Sequence, residues 1–289
     1  MKKFIYILFS LSILISSCES DAEVEIPFEP VKLVLSTFLD PDADTNFVYL
    51  SKSDPVFDQN SSYFNDLLID DGIVKITDGT QEITLRYDNV VEAYYFRKNE
   101  FDIDFNKSYN ISASTINQTI NVSVKTVDSN SISINDVSID SITKDDGFGG
   151  SSKTYKIRFN FNDPATEENY YRISITPTYI YFDGSFKEYE YVTNDIYSDV
   201  IISDAGKNGT AINIYNEYSS FNFGFESFNY VAFKIYVTKI DADSYKYFKS
   251  LQNYTGEDPF SEPTLIYTNV PNGLGIVGSK QVFSYRKAL

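Results

Sequence analysis

The chain of 289 residues contains no histidine, no tryptophan, one cysteine and one methionine. Without histidine there is no Ser-His-Asp or Cys-His nucleophile, no imidazole zinc ligand and no imidazole proton shuttle. With a single cysteine no disulfide forms within the chain, so stability must come from packed cores. Basic residues are also scarce: 24 Lys and Arg stand against 41 Asp and Glu, a formal net charge of −17. Such a surface repels phosphate backbones and anionic headgroups, which excludes nucleic acid as an expected partner. It suits solubility, attraction of cations and docking to basic patches of another protein. Only chemistry run by carboxylates, Lys, Tyr or Ser stays open, and the expectation is a non-enzyme without a cofactor.

What is abundant is equally directive. There are 24 Tyr and 23 Phe, set among Ile, Val, Thr, Ser and Asn, with few strong helix formers. That is the composition of half-buried strands joined by polar turns.

The first eighteen residues have their own grammar. Met1-Lys2-Lys3 is a short basic start, Phe4 to Ile15 is apolar apart from Ser10 and Ser12, and Ile15-Ser16-Ser17-Cys18 ends the run. This reads as a secretory signal over 1–17, with an apolar core too short to cross a bilayer. Cys18 sits where a bacterial lipobox places its cysteine, so its thiol is the expected attachment point for diacylglycerol, with palmitate among the acyl chains. Thiolate chemistry is then excluded too. An ordinary cleaved signal with a stray cysteine is the alternative. Residues 1–17 hold two lysines and no acid, which leaves 22 basic against 41 acidic groups and a net charge of −19 for the remainder. Residues 18–30, with two prolines and five acids, read as an extended tether. Its start, Glu19-Ser20-Asp21-Ala22-Glu23, resembles the export signal of surface lipoproteins in Bacteroidota, and reads equally as a solvated linker.

Strand signals then follow closely. Val31–Phe38, Phe47–Ser51, Val74–Thr77, Ile83–Tyr87, Tyr94–Phe96, Ser108–Ala113 and Thr119–Lys125 are short alternating runs, with Asp71-Gly72 and Asp78-Gly79 as turn cues. About seven strands in about 100 residues predict an immunoglobulin-like β-sandwich over 31–127, without the Cys-Trp-Cys pins. Residues 128–152 read as a boundary: one long strand at Ser131–Ile142, then a polar loop from Lys144 to Ser152. A second β-rich domain is expected over 153–289, with tyrosine- and phenylalanine-rich loops at 186–197 and 215–230. Tyr245, Phe248 and Leu251, spaced by three after Asp241 and Asp243, predict a single helix at 243–253. The fold expected is mainly β, two β-sandwich domains with one helix near the C-terminus.

Several blocks carry a family resemblance. Cys18-Glu19, Val31–Leu35, Asp163-Pro164 with Asn169-Tyr170-Tyr171, Tyr245–Leu251, Pro259-Phe260-Ser261-Glu262-Pro263 and the glycine stretch Asn269–Gly278 together resemble the Bacteroidota lipoproteins grouped as the domain-of-unknown-function 4249 family. The resemblance spans essentially the whole mature chain, and its C-terminal block is the most specific part. It implies an outer-membrane lipoprotein, often encoded near a TonB-dependent receptor, with no established activity and no catalytic residues to transfer.

Four constellations are candidates for chemistry. Asp40, Asp42 and Asp44 alternate oxygen ligands as the first half of a calcium loop does, but the central glycine is missing and Ser51 stands where a bidentate Glu is needed; a strand-connecting turn is the better reading. Gly273-Leu274-Gly275-Ile276-Val277-Gly278 spells a dinucleotide fingerprint without the βαβ context, so a tight bend or close packing against the helix is expected. Paired carboxylates, Glu167-Glu168 or Asp102 with Asp104, could serve glycoside hydrolysis only across a cleft that spacing cannot show. Asp140-Ser141-Ile142 matches a short O-glycan pattern with Ser141 as acceptor.

The aromatic loops are the favoured binding surface, through Tyr189, Tyr191, Tyr215, Tyr218, Phe221 and Phe223, because exposed aromatics on loops commonly build one. Satellite cores are the alternative use of the same rings. The leading expectation is a lipid-anchored lipoprotein facing the cell exterior at the outer membrane. It would be a non-enzymatic accessory or binding subunit of an outer-membrane β-barrel such as a TonB-dependent receptor. Capture of glycan or peptide before import is the second reading, and a carboxylate-type hydrolase the third.

Overall fold

The computed structural model describes residues 30–54, 64–145, 151–165, 168–182, 185–191, 198–206, 208–222, 230–254 and 265–289. Cys18, the tether up to residue 29 and Phe223 lie outside them. The N-terminal half supplies β1 (Leu33–Leu39), β2 (Thr45–Lys52), a single helical turn α1 (Phe64–Leu67), β3 (Ile73–Thr77), β4 (Glu82–Thr84), β5 (Arg86–Asp88), β6 (Ala93–Arg97), β7 (Ser108–Ser114) and β8 (Thr119–Lys125). The C-terminal half supplies β9 (Ile134–Asp145), β10 (Ser151–Asn162), β11 (Tyr170–Phe182), β12 (Phe186–Glu190), β13 (Val200–Ser203), β14 (Ala211–Asn222), β15 (Tyr230–Ile240), α2 (Ala242–Gln252) and β16 (Leu274–Ala288). The chain is mainly β, with one substantial helix near its C-terminus.

A nine-stranded sheet runs through both halves in the order β12-β11-β15-β16-β1-β2-β6-β5, with β13 also paired to β11. A four-stranded sheet, β4-β3-β7-β8, covers one half of it, and a three-stranded sheet, β14-β10-β9, covers the other. Alternation decides which residues go between the layers. Leu35, Val48, Ile76, Phe96 and Ile111 fill the first core. Ile157, Phe161, Tyr171, Ile173, Phe233 and Ile235 fill the second. Each such side chain contributes about 1.5–3 kcal/mol when fully buried.

The last strand joins the two halves. Leu274–Ser279 of β16 pairs parallel with Val34–Leu39 of β1, and Lys280–Ala288 pairs antiparallel with β15. The division expected between 31–127 and 153–289 is therefore crossed by one strand, whose first six residues belong to the sheet of the N-terminal half. On one face of β16, Val277 enters the first core and Phe283 packs on the second. Between them Ser279 and Gln281 strap the connecting segment: Ser279 Oγ accepts from Val127 N at 3.1 Å and donates to Leu39 O at 3.0 Å. Gln281 Oε1 accepts from Asn130 N at 3.1 Å, and its Nε2 donates to Asp42 Oδ2 at 3.0 Å.

The other face of this sheet carries α2. Asp241 caps it, accepting from Asp243 N and Ser244 N at 2.9 Å each, and from Ser279 N of β16 as well. The expected three-residue spacing is used: Phe248 stacks on Phe38 of β1 at 5.2 Å, Tyr245 lies 4.8 Å from Tyr170 of β11, and Leu251 packs on the same cluster. Gly278 lets the helix sit down, since a Cβ there would meet Ser244 Oγ at 2.0 Å.

Two expected loops, 186–197 and 215–230, begin as strands, and their residues 192–197 and 223–229 lie outside the described residues. Residues 186–190 form β12, and the run at 215–222 continues β14, which pairs along its whole length with β10. Likewise the polar loop at 144–152 is strand at both ends, because β9 reaches Asp145 and β10 begins at Ser151.

Candidate binding face

Among the described residues, the face of the large sheet that bears α2 is left open on both sides of the helix. Two shallow hollows lie there, separated by Phe38 and Lys280. One, of about 210 Å³, is lined by Ser36, Asp40, Phe47 and Tyr49. The other, of about 200 Å³, is lined by Arg172, Ser174, Tyr236, Phe248 and Val282. Tyr49 keeps 45% of its surface exposed and Val282 40%. Strand alternation explains most of the set: apart from Asp40, just past β1, and Phe248 of α2, these residues occupy the positions of β1, β2, β11, β15 and β16 that point away from the two cores.

The polar groups differ across the two hollows. Arg172 Nε donates to Asp199 Oδ2 at 2.6 Å, while its guanidinium lies 4.7 Å from the Phe248 ring centroid. It is thus oriented by a carboxylate and an aromatic face together. Lys280 has no hydrogen-bond or ion-pair partner among the described residues, and its charge is felt by Asp40. Burial pushes the Asp40 carboxyl up from its ordinary value, and the Asp42 backbone N–H and Lys280 offset part of that. Aromatic rings beside two cations, on a chain of net charge −17, suit a ligand or partner surface that combines an apolar patch with acceptor groups.

The aromatic residues expected to form one site are divided. Tyr189 stacks on Tyr179 at 6.1 Å and, like Tyr191, is partly exposed. Tyr215 faces outward from β14, beneath Arg158 at 5.2 Å. Tyr218, three residues on, faces inward and packs on Tyr230 at 5.8 Å and Phe233 at 5.7 Å. An odd separation along a strand places two side chains on opposite faces, so Tyr215 and Tyr218 do not share a surface. Phe221 lies near the end of β14. Tyr218→Ala is accordingly expected to lower stability by about 2–3 kcal/mol through a core cavity. Tyr189→Ala should cost under about 1 kcal/mol. Urea denaturation midpoints check both.

The remaining candidates are used elsewhere. Asp40 Oδ1 accepts from Asp42 N at 3.0 Å, and Asp42 is held by Gln281, which places these carboxylates in a turn and a strap. Asp44 lines an open surface hollow with Arg97 and Lys98. Among the described residues no three of His, Cys, Asp and Glu converge as metal ligands. Asp102 and Asp104 pair with Lys98 at 3.7 Å and Lys107 at 3.2 Å. Glu167 lies outside the described residues. Ser141 is exposed on β9, opposite Tyr155 of β10. Gly273-Gly278 forms the turn into β16 and its pairing with β1, not a phosphate cradle leading into a helix.

Comparison with known families adds one finding. The profile of the family described as "Domain of unknown function (DUF4249)" matches residues 19–286, and the chain belongs to that family. No curated protein matches the chain.

Proposed function

We propose that this member of the DUF4249 family is a lipid-anchored lipoprotein of the outer membrane, facing the cell exterior. In this reading it acts as a non-enzymatic accessory or binding subunit of an outer-membrane β-barrel such as a TonB-dependent receptor. Cys18 at the end of an apolar signal supports the anchor, since three acyl chains hold a protein at a bilayer where one chain binds marginally. The acidic segment 18–30 then serves as spacer. The observation that carries the binding role is the open face beside α2, where Tyr49, Phe47, Val282 and Phe248 lie close to Lys280 and Arg172. Aromatic and arginine side chains are the usual anchors of a protein interface. The absence of histidine from the sequence fits a binding role.

The test has two stages. Cys18→Ala should move the protein from the membrane fraction to the soluble fraction; retention in the membrane would overturn the anchor. Mild-detergent purification of the wild-type protein should recover a β-barrel, and Tyr49→Ala with Val282→Glu should reduce that recovery at least tenfold. Equal recovery with the double variant would move the interface away from this face. The stacked Tyr179–Tyr189 pair favours glycan capture as the second reading. Binding to a glycan array that is lost in Tyr189→Ala would select it.

A further inference from the structure

Two acidic side chains are buried at one end of the C-terminal sandwich. Asp163 is 5% exposed and follows β10; Asp204 is 1% exposed and follows β13. Each begins a connection between the two sheets, 163–169 leading from β10 to β11 and 204–210 leading from β13 to β14. Asp163 is surrounded by donors. Its Oδ1 accepts from Tyr171 Oη at 2.5 Å, and its Oδ2 accepts from Gly209 N of the opposite connection at 3.0 Å. Asp204 Oδ2 accepts from Asn169 Nδ2 at 3.3 Å, and Asp204 N donates to Asn169 O at 3.0 Å. Asp204 Oδ1 is buried with no hydrogen-bond partner when both groups are treated as acceptors. Neither carboxyl has a Lys or Arg in ion-pair contact among the described residues.

Two adjacent buried carboxylates without a cation are costly, because each charge is desolvated and the two repel. Asp163 acts on Asp204 both as a charge and as a side-chain hydrogen-bond partner, so one proton on the pair removes one charge and supplies the donor that two carboxylates lack. We propose that Asp163 and Asp204 share one proton and act as a pH-sensitive clasp that fastens the two sheet connections at this end of the sandwich. The groups facing the pair fit this assignment. Tyr171 Oη and Gly209 N both donate to Asp163, one to each carboxyl oxygen. Burial, followed by the Asp163 carboxylate beside it, pushes the Asp204 carboxyl up from its ordinary value. Burial and the Asp163 hydrogen bond also push the Tyr171 hydroxyl up, so it stays a donor. Asp128, the other titratable group that Tyr171 feels, is paired with Lys239 at 2.8 Å.

The sign follows from linkage. A carboxyl whose value is raised on folding contributes stability in full below its unfolded value, near 3.8. That contribution is lost as pH rises through the folded value. The clasp therefore loosens toward alkaline pH, against the trend of ordinary acid denaturation.

Melting temperatures of the wild-type protein and Asp204→Asn, measured from pH 4.5 to 8.5, test the proposal. The amide keeps the donor at every pH, so the wild type should lose stability relative to the variant as pH rises. A parallel pair of curves would overturn the clasp. Infrared spectra of the wild-type protein across the same pH range supply a readout that needs no variant. A carboxylic-acid carbonyl stretch that shifts on titration is expected, and its absence overturns the shared proton. Calcium is added in a third arm, because a cation could supply the missing charge instead. A calcium-dependent rise in melting temperature, without the acid band, would also overturn the proposal.

Discussion

Gly275→Ala should destabilise the whole protein by about 3 kcal/mol or more, and as a single cooperative transition. Two independent costs meet at this residue. Its φ of +105° is a conformation that L side chains rarely adopt, which costs about 1–3 kcal/mol. A Cβ there would also lie 2.2 Å from Leu35 O, 2.9 Å from Leu35 C and 3.1 Å from Leu35 N. All three are backbone atoms of the strand to which β16 is paired, so no side chain can swing aside, and overpacking adds about 1–3 kcal/mol. Gly79→Ala is the control. Its φ is +88°, but nothing lies within 4 Å of the added carbon, so it should show the backbone cost alone, about 1 kcal/mol. Denaturant unfolding separates the two: equal losses would mean that the close approach of β16 to β1 carries no energy. Because β16 also pairs with β15, probes in the two halves should report one midpoint. Two separated transitions would show that the shared strand does not couple the sandwiches.

The parts of this fold that are local were legible in the residues. Alternation at Leu33, Leu35 and Leu39, or at Ile157, Phe159 and Phe161, marks strands by composition and period alone. The spacing of Tyr245, Phe248 and Leu251 marks the helix to within one residue, and of the two aspartates before it the structure uses Asp241 as the cap. The glycine stretch at 273–278 was readable as close packing, since it lacks the context a nucleotide loop needs. What joins distant segments was not legible. Nothing near Val34 or Ile276 announces a parallel pairing across some 240 residues of chain, because a parallel ladder needs only two apolar runs and leaves no turn signal. The candidate face depends on that pairing. Phe38 and Lys280 meet Arg172 and Phe248 only once β1 and β15 flank β16. The division of Tyr215 from Tyr218 was available in principle. Ile212, Ile214 and Tyr218 share one parity, and extending the strand through 222 would have sent Tyr218 inward. The richness of the segment in Tyr, Ser and Asn favoured a loop reading instead.

Truncating Asp128 should cost more than replacing its partner Lys239. Lys239 Nζ donates to Asp128 Oδ1 at 2.8 Å. The lysine side chain is 4% exposed and the aspartate 27%. The pair lies where the connecting segment meets β15, close to the strap formed by Ser279 and Gln281. Asp128→Ala leaves an ammonium buried without compensation, a change that costs about 3 kcal/mol or more. Lys239→Met fills the same volume with an apolar chain and leaves a carboxylate that reaches water and Asn130 Nδ2, at 3.1 Å, so about 1 kcal/mol is expected. Their double variant, Asp128→Leu with Lys239→Met, should recover most of the loss, since no charge is left stranded. The pH dependence gives a separate check. Burial pushes the Asp128 carboxyl up, but the hydrogen bond and charge of Lys239 outweigh it and hold the group below its ordinary value of 3.8. A depressed carboxyl contributes stability that is present above its unfolded value and lost as pH falls through the folded one. Lys239→Met should therefore flatten the acid limb of the stability curve below about pH 4, while the alkaline loss assigned to Asp204 persists unchanged. Opposite slopes from the half-buried Asp128 and the buried Asp204 are separable only because one faces a cation and the other a second acid.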